Sequence, residues 1–137
     1  MREIERIKDQ LRRAFEGPAW HGPSVKELVA DITAEKAATR PLAGAHSIWE
    51  IVLHIAAWDE GVRRRLAGDR AELSTEEDWP PVTDTSEAAW REALDNLDEA
   101  RLSEPIVEGM SSVYVTLHGV IQHDLYHAGQ IALLKRA

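Results

Sequence analysis

Two histidines four residues apart are the strongest chemical signal in the chain. His123 and His127 enclose Asp-Leu-Tyr, and this spacing places both side chains next to each other on one face of a helix. Two such imidazoles can share a metal ion, each through one ring nitrogen. With six histidines in 137 residues, chance would produce such a pair in roughly one sequence in four. The alternative is two ordinary histidines on a half-exposed helix, but the apolar neighbours favour a metal, because a buried polar pair is costly unless something satisfies it.

His54 is a third candidate ligand. It lies in the almost wholly apolar segment Ile51–Ala57, where a single histidine is more often a hydrogen-bonded core residue than a ligand. Two bundle helices that each carry an inward histidine at mid-length favour a shared metal site, because facing helices build such sites in bundle cores. Three neutral imidazoles would leave one coordination position open, which is typical of catalytic rather than structural zinc.

Four further residues are candidates for the surroundings of this site. Gln130 lies on the same face of the last helix and could hydrogen-bond a ligand, or it could be a surface amide. Asp124 could accept a hydrogen bond from an imidazole, although a solvated side chain is the simpler interpretation. His21, in a loop rich in Gly and Pro, could reach the mouth of the site, and Trp58 could line its pocket.

His46, His118 and Glu50 are not expected to bind the metal or to contact its ligands. His46 directly precedes a helix-capping serine, and Glu50 completes that cap. His118 is five residues before His123, about 140° around the helix, and should therefore face elsewhere.

The sequence carries no motif for a protein nucleophile or for phosphate binding. HExxH, a Gly-rich phosphate loop and G-x-S-x-G are all absent. The chain has no cysteine, which excludes disulfides, thiolate metal sites and a cysteine nucleophile and fits a reducing cytoplasm. An enzyme built on this chain would rely on a metal and a pocket.

Charge and hydropathy limit the possible partners. The chain has 16 Lys and Arg against 24 Asp and Glu, a net charge of −8, and an acidic surface repels the phosphate backbone of nucleic acids. The charged start MREIERIKDQ lacks the apolar segment of a secretory signal, and no apolar run approaches the roughly 18–20 residues of a membrane span. We therefore expect a cytoplasmic protein that acts on a small molecule and contacts neither nucleic acid nor membrane.

Hydrophobic spacing and capping residues predict one all-α domain over residues 1–137. Long helices are predicted over 2–16, 48–67, 86–102 and from 112 to the end. A short helix is predicted after the cap Ser24, and Thr33 can cap a further short turn. No segment alternates with a period of two. Four long helices and one short one are typical of a four-helix bundle. The longest connection, 69–84, could cross one end of the bundle, so the helices it joins need not be antiparallel neighbours.

Three segments resemble the DinB/YfiT-like superfamily of metal-binding four-helix bundles, and together they span nearly the whole chain. They are Ala19–Ser24, His46–Ile55 and His118–Ile131. The last is the most specific, because H-x3-H is followed by Ala-Gly-Gln-Ile. The resemblance implies a bundle with a long crossover after the second bundle helix, and a homodimer. It also implies that the three metal ligands of the family fall on His54, His123 and His127.

The resemblance implies several activities. Members are similar to mycothiol-dependent maleylpyruvate isomerase and to bacillithiol S-transferases, whereas others are called metal-dependent hydrolases. The first hypothesis is therefore a thiol S-transferase in which Zn²⁺ or Ni²⁺ binds a small external thiol and deprotonates it, so that the thiolate attacks an electrophile held in the mouth of the bundle.

Two other hypotheses stay open. In a hydrolase the same metal would activate water, but this route needs a general base, and the sequence offers no clear one. In a non-catalytic bundle the metal would serve stability or a partner-binding role. Three histidines without a fourth protein ligand argue mildly against that last possibility.

Overall fold

Regular secondary structure is helical throughout the described part of the computed structural model, which comprises residues 2–69, 72–100 and 111–137. The helices are α1 (Glu3–Phe15), α2 (Val25–Val29), α3 (Ala34–Ala38), α4 (Ile48–Leu66), α5 (Thr75–Asp78), α6 (Glu87–Ala100) and α7 (Ser111–Arg136). The predicted all-α class is confirmed.

The helices start at the predicted caps. The Ser47 hydroxyl accepts from the backbone N–H of Glu50 at 3.1 Å, and the Glu50 carboxylate accepts from the backbone N–H of Ser47 at 2.7 Å. The same reciprocal pair joins Ser24 and Glu27 at the start of α2. Each pair satisfies two backbone donors that have no partner within the helix.

The long helix α4 lies at the centre of the fold, where it packs against α3, α6 and α7, while α1 and α2 pack against α7. A larger apolar core fills the space among α2, α3, α4, α6 and α7, and a smaller one lies among α1, α4 and α7. Trp90 connects α6 with α4 and with the segment between α2 and α3. Its ring lies 5.1 Å from that of Trp49 on α4, and its indole N–H donates to the backbone carbonyl of Ile32 at 2.8 Å.

The crossover between α4 and α6 contains a helix that the sequence analysis did not predict. Helix α5 begins at Ser74, whose hydroxyl accepts from the N–H of Glu77, and it packs against α4. The described residues thus contain three short helices, α2, α3 and α5, instead of one. The crossover joins two helices that pack against each other, and it brings Asp78 and Trp79 beside the middle of α4.

One prediction lies outside the described residues, namely that the third long helix continues beyond residue 100 to residue 102. Within the described residues, no helix is both long and apolar enough to cross a membrane.

Candidate metal centre

Three imidazoles converge between α4 and α7. Nε2 of His123 lies 3.0 Å from Nε2 of His54 and 3.1 Å from Nε2 of His127, and the three ligand atoms lie within 4.8 Å of one another. His54 and His127 are buried and His123 is half-buried. A cluster of nitrogen atoms that could hold a metal ion thus lies between these two helices.

The spacing of the nitrogens fits a metal. Ligand nitrogens at about 2.0–2.1 Å from a tetrahedral Zn²⁺ stand about 3.3–3.4 Å apart, and the two observed separations of 3.0 and 3.1 Å are within a few tenths of this. In the part of the chain that the structure describes, no fourth His, Cys, Asp or Glu joins the group. One coordination position would therefore stay open.

Hydrogen bonds set the protonation of two of the rings. Nδ1 of His54 lies 2.7 Å from the backbone carbonyl of Asp78, and a carbonyl only accepts, so this nitrogen carries the proton. Nδ1 of His127 likewise faces Oε1 of Gln130 at 2.6 Å. Both Nε2 atoms therefore offer lone pairs to the centre. A single proton on Nε2 of His123 could not serve both, whereas a cation among the three nitrogens would satisfy all of them.

The surroundings lower the pKa values of His123 and His127. Burial, followed by the charges of His127 and His54, lowers the pKa of His123 from 6.5 to about 4, and the Asp78 carboxylate acts in the opposite direction. Burial is also the largest cause that lowers the pKa of His127, while the hydrogen bond with Gln130 raises it. Because a metal binds the deprotonated ring, protons compete weakly at neutral pH.

Aromatic rings from the crossover and α4 cover the centre. Trp79 stacks on His54 with ring centroids 3.8 Å apart, and its other neighbour His46 stacks at 3.6 Å. The Trp58 indole N–H donates to the Asp78 carboxylate at 2.7 Å, and the same carboxylate oxygen lies 3.2 Å from Nδ1 of His54. The crossover therefore orients the His54 ring from both its face and its edge.

The structure brings only some of the candidate surrounding residues to the centre. Gln130 contacts His127, and Trp58 reaches the site through the Asp78 carboxylate. His21 is exposed on the loop after α1 and lines a surface groove. The interpretation of Asp124 as solvated is wrong, because it is only 3 % exposed. It lines a cavity beside α1, and burial raises its pKa to about 7.

Sequence reasoning missed three residues at the centre. Asp78 and Trp79 belong to the connection 69–84, for which only a crossover was predicted, although Ser74 and Glu77 have the spacing of a capping box that predicts a helix start. His46 was assigned to the start of α4, and no local signal indicates that its ring stacks on Trp79. That contact depends on how the crossover folds back on α4.

Comparison with known proteins places the chain in a family. The model described as the DinB superfamily matches residues 19–131, a range that contains all three histidines of the centre. Neither a curated protein nor a solved structure matches the chain.

Proposed function

Because the chain belongs to the DinB superfamily, we propose that it is a metal-dependent enzyme whose divalent ion, Zn²⁺ or Ni²⁺, is held by His54, His123 and His127. The observation that carries this proposal is the convergence of three Nε2 atoms while the Nδ1 atoms of two of the rings are occupied as donors. Hydrogen bonds of this kind orient metal-bound imidazoles and fix their tautomers.

The proposed reaction is transfer that involves a low-molecular-weight thiol of the bacillithiol or mycothiol type. A bound divalent ion supplies acidity at its open coordination position, where a thiol loses its proton. In the transfer, the thiol sulfur bonds to an electrophilic carbon of a small-molecule substrate, the leaving group departs with the bonding electron pair, and the thiol proton passes to solvent. An external thiol is required because the chain contains no cysteine.

The chain's own residues orient the site and shield it. The Asp78 carbonyl and the Gln130 amide hold two rings with Nε2 facing inward. Trp79, stacked on His54, excludes water from one face of that ring. Neutral imidazoles leave the positive charge of a divalent ion uncompensated, which favours an anionic sulfur over a neutral ligand.

Hydrolysis is the weaker alternative on the same geometry. A hydrolase would use a base beside the open coordination position. Asp78 is the carboxylate that contacts this cluster, but it faces Nδ1 of His54, on the far side of that ring from Nε2. It is also engaged by the Trp58 indole.

The homodimer that the resemblance implies is part of the proposal. The face of α7 formed by Gln122, Tyr126, Gly129 and Leu133 is exposed, and it includes Tyr126 at 67 % and Leu133 at 62 % exposure. A Cβ at Gly129 would meet no atom within 4 Å, so a second helix could approach closely there. We propose that two copies associate through this face.

Cobalt substitution tests the thiol proposal directly. Co²⁺ is loaded into the parent chain and into His123→Ala, and each is titrated with bacillithiol, mycothiol and a matching alcohol. We expect a saturable sulfur-to-cobalt charge-transfer band with one of the thiols, none with the alcohol, and none in His123→Ala. A loaded site that binds no thiol would contradict the transferase. In that case ester or amide hydrolysis would support the second function, and an inert site would indicate a non-catalytic bundle.

A further inference from the structure

Two buried carboxyl groups lie at the α4–α7 interface and line a cavity that none of the three imidazoles lines. Asp59 on α4 is 1 % exposed and Asp124 on α7 is 3 % exposed. Oδ1 of each is buried and has no hydrogen-bond partner among the described residues. Buried polar atoms are nearly always hydrogen-bonded, because leaving them unpaired is costly. This pair therefore requires a ligand or a shared proton.

Both carboxyl groups line a cavity of about 370 Å³ between α1, α4 and α7. Its walls include the apolar side chains of Leu11, Phe15 and Val120. The volume lies at the lower end of the roughly 300–1,000 Å³ that is typical of small-molecule sites. The cavity thus combines an acidic floor with apolar walls, which suits a small amphipathic cation.

The basic residues around the cavity are engaged with other groups. At its mouth, Lys8 lies 3.7 Å from Glu5 and Arg12 lies 2.9 Å from Asp9. The mouth also carries Glu16, so three acidic side chains oppose two basic ones.

Arg63, which lies one turn after Asp59 on α4, also forms an ion pair and hydrogen bonds with other groups. Its guanidinium pairs with Glu60 at 2.8 Å and donates to the backbone carbonyls of Glu99 and Ala100. Arg63 does act on Asp59 through its charge, which opposes the rise in the pKa of that carboxyl group caused by burial and by Asp124. Among the described residues, however, no cation is hydrogen-bonded to Oδ1 of either buried carboxyl group.

We propose that this cavity binds an organic ammonium ion, a primary amine that carries a short apolar body. An ammonium group has three N–H donors and can serve both carboxyl groups at once. Its hydrocarbon part would pack against Phe15 and Leu11. A hard divalent cation fits less well, because it prefers six or more oxygen ligands and only Asp59 and Asp124 line the floor of the cavity. This site does not depend on the function proposed for the three histidines.

Calorimetric titration of the metal-loaded full chain with 2-phenylethylamine hydrochloride tests the proposal. We expect saturable binding, and weaker binding of the neutral analogue 2-phenylethanol. Asp59→Asn should weaken amine binding by about thirtyfold or more, because it removes one member of a buried charge pair. Val120→Phe keeps both carboxyl groups but fills the cavity, and it should abolish binding. Circular dichroism verifies that both variants fold.

Two controls locate the bound amine. Asp31→Asn removes an exposed carboxylate outside the cavity that is paired with Lys135, and it should leave binding unchanged. His127→Ala should also bind the amine, which excludes direct ligation of the metal. The proposal is overturned if no saturable binding occurs, as a proton shared by the two carboxyl groups would predict. Equal binding of the alcohol, loss of binding in either control, or binding that survives both cavity variants would overturn it as well.

Discussion

Replacing Gln130 with leucine should weaken metal binding without removing a ligand. Oε1 of Gln130 accepts the Nδ1 proton of His127 at 2.6 Å, and His127 is only 5 % exposed, so water cannot easily take over this hydrogen bond. Removal of such an orienting partner typically costs about 10–100-fold in metal affinity, which is about 1.4–2.7 kcal/mol. We expect a loss in this range, measured by Zn²⁺ competition with a chromophoric chelator.

The effect of Gln130 on the pKa of His127 separates ring orientation from proton competition in this experiment. The hydrogen bond with Gln130 raises the pKa of His127, so Gln130→Leu should lower that pKa further. A lower pKa weakens proton competition and by itself favours metal binding. Any loss of affinity must therefore come from the lost orientation of the ring and from its unpaired N–H.

A matched control lies on the same helix. Gln122 is exposed on α7, and Gln122→Leu makes the same chemical change away from the centre, so its affinity should equal that of the parent. Gln130→Glu keeps an acceptor at the same position and should retain affinity at a pH above neutrality. Equal affinities in the parent and Gln130→Leu would refute the assignment of Gln130 as an orienting residue.

Three further predictions concern stability and association. Trp90→Phe should cost about 1–3 kcal/mol in urea unfolding, because it leaves the carbonyl of Ile32 without the indole donor, whereas Trp20→Phe, at a fully exposed position, should change stability by less than about 0.5 kcal/mol. In the metal-free protein His123 should contribute a loss of stability as pH falls from 6.5 towards 4, because the unfolded chain protonates this residue first, whereas the raised pKa of Asp124 acts in the opposite direction. The difference in urea stability between the parent and His123→Ala isolates the histidine contribution, and a difference that does not change across this window would show that the low pKa is wrong. Leu133→Glu should convert the proposed dimer to a monomer in light scattering, and a parent that is already monomeric would contradict the dimer.

Local signals in the sequence were sufficient for most of the fold. Apolar spacing identified the four long helices, and the caps at Ser24 and Ser47 located the starts of α2 and α4 to within a residue. The capping box formed by Ser74 and Glu77 is just as clear in the sequence, but the helix that it starts, α5, spans only Thr75–Asp78. Four residues are too few to show a helical period, so this element was not predicted.

The candidate site was predictable where one helix determines it. His123 and His127 face the same way because of their spacing on α7, and the apolar neighbours of His54 indicated an inward side chain. The contacts of Asp78 with His54 were not predictable, since they depend on the path of the crossover. The burial of Asp124 was not predictable either, because a single aspartate in a helix ordinarily indicates a solvated side chain.

Metal content is the measurement that tests the central claim most directly. The parent chain, His54→Ala and His127→Ala are purified without added metal and without a metal-affinity column, and elemental analysis counts the divalent ions in each. We predict about one equivalent in the parent and its loss in both variants, with the helical content unchanged by circular dichroism. A parent that is metal-free and cannot be loaded with Zn²⁺ or Ni²⁺ would contradict the three-histidine centre, and the proposed metalloenzyme would fall with it.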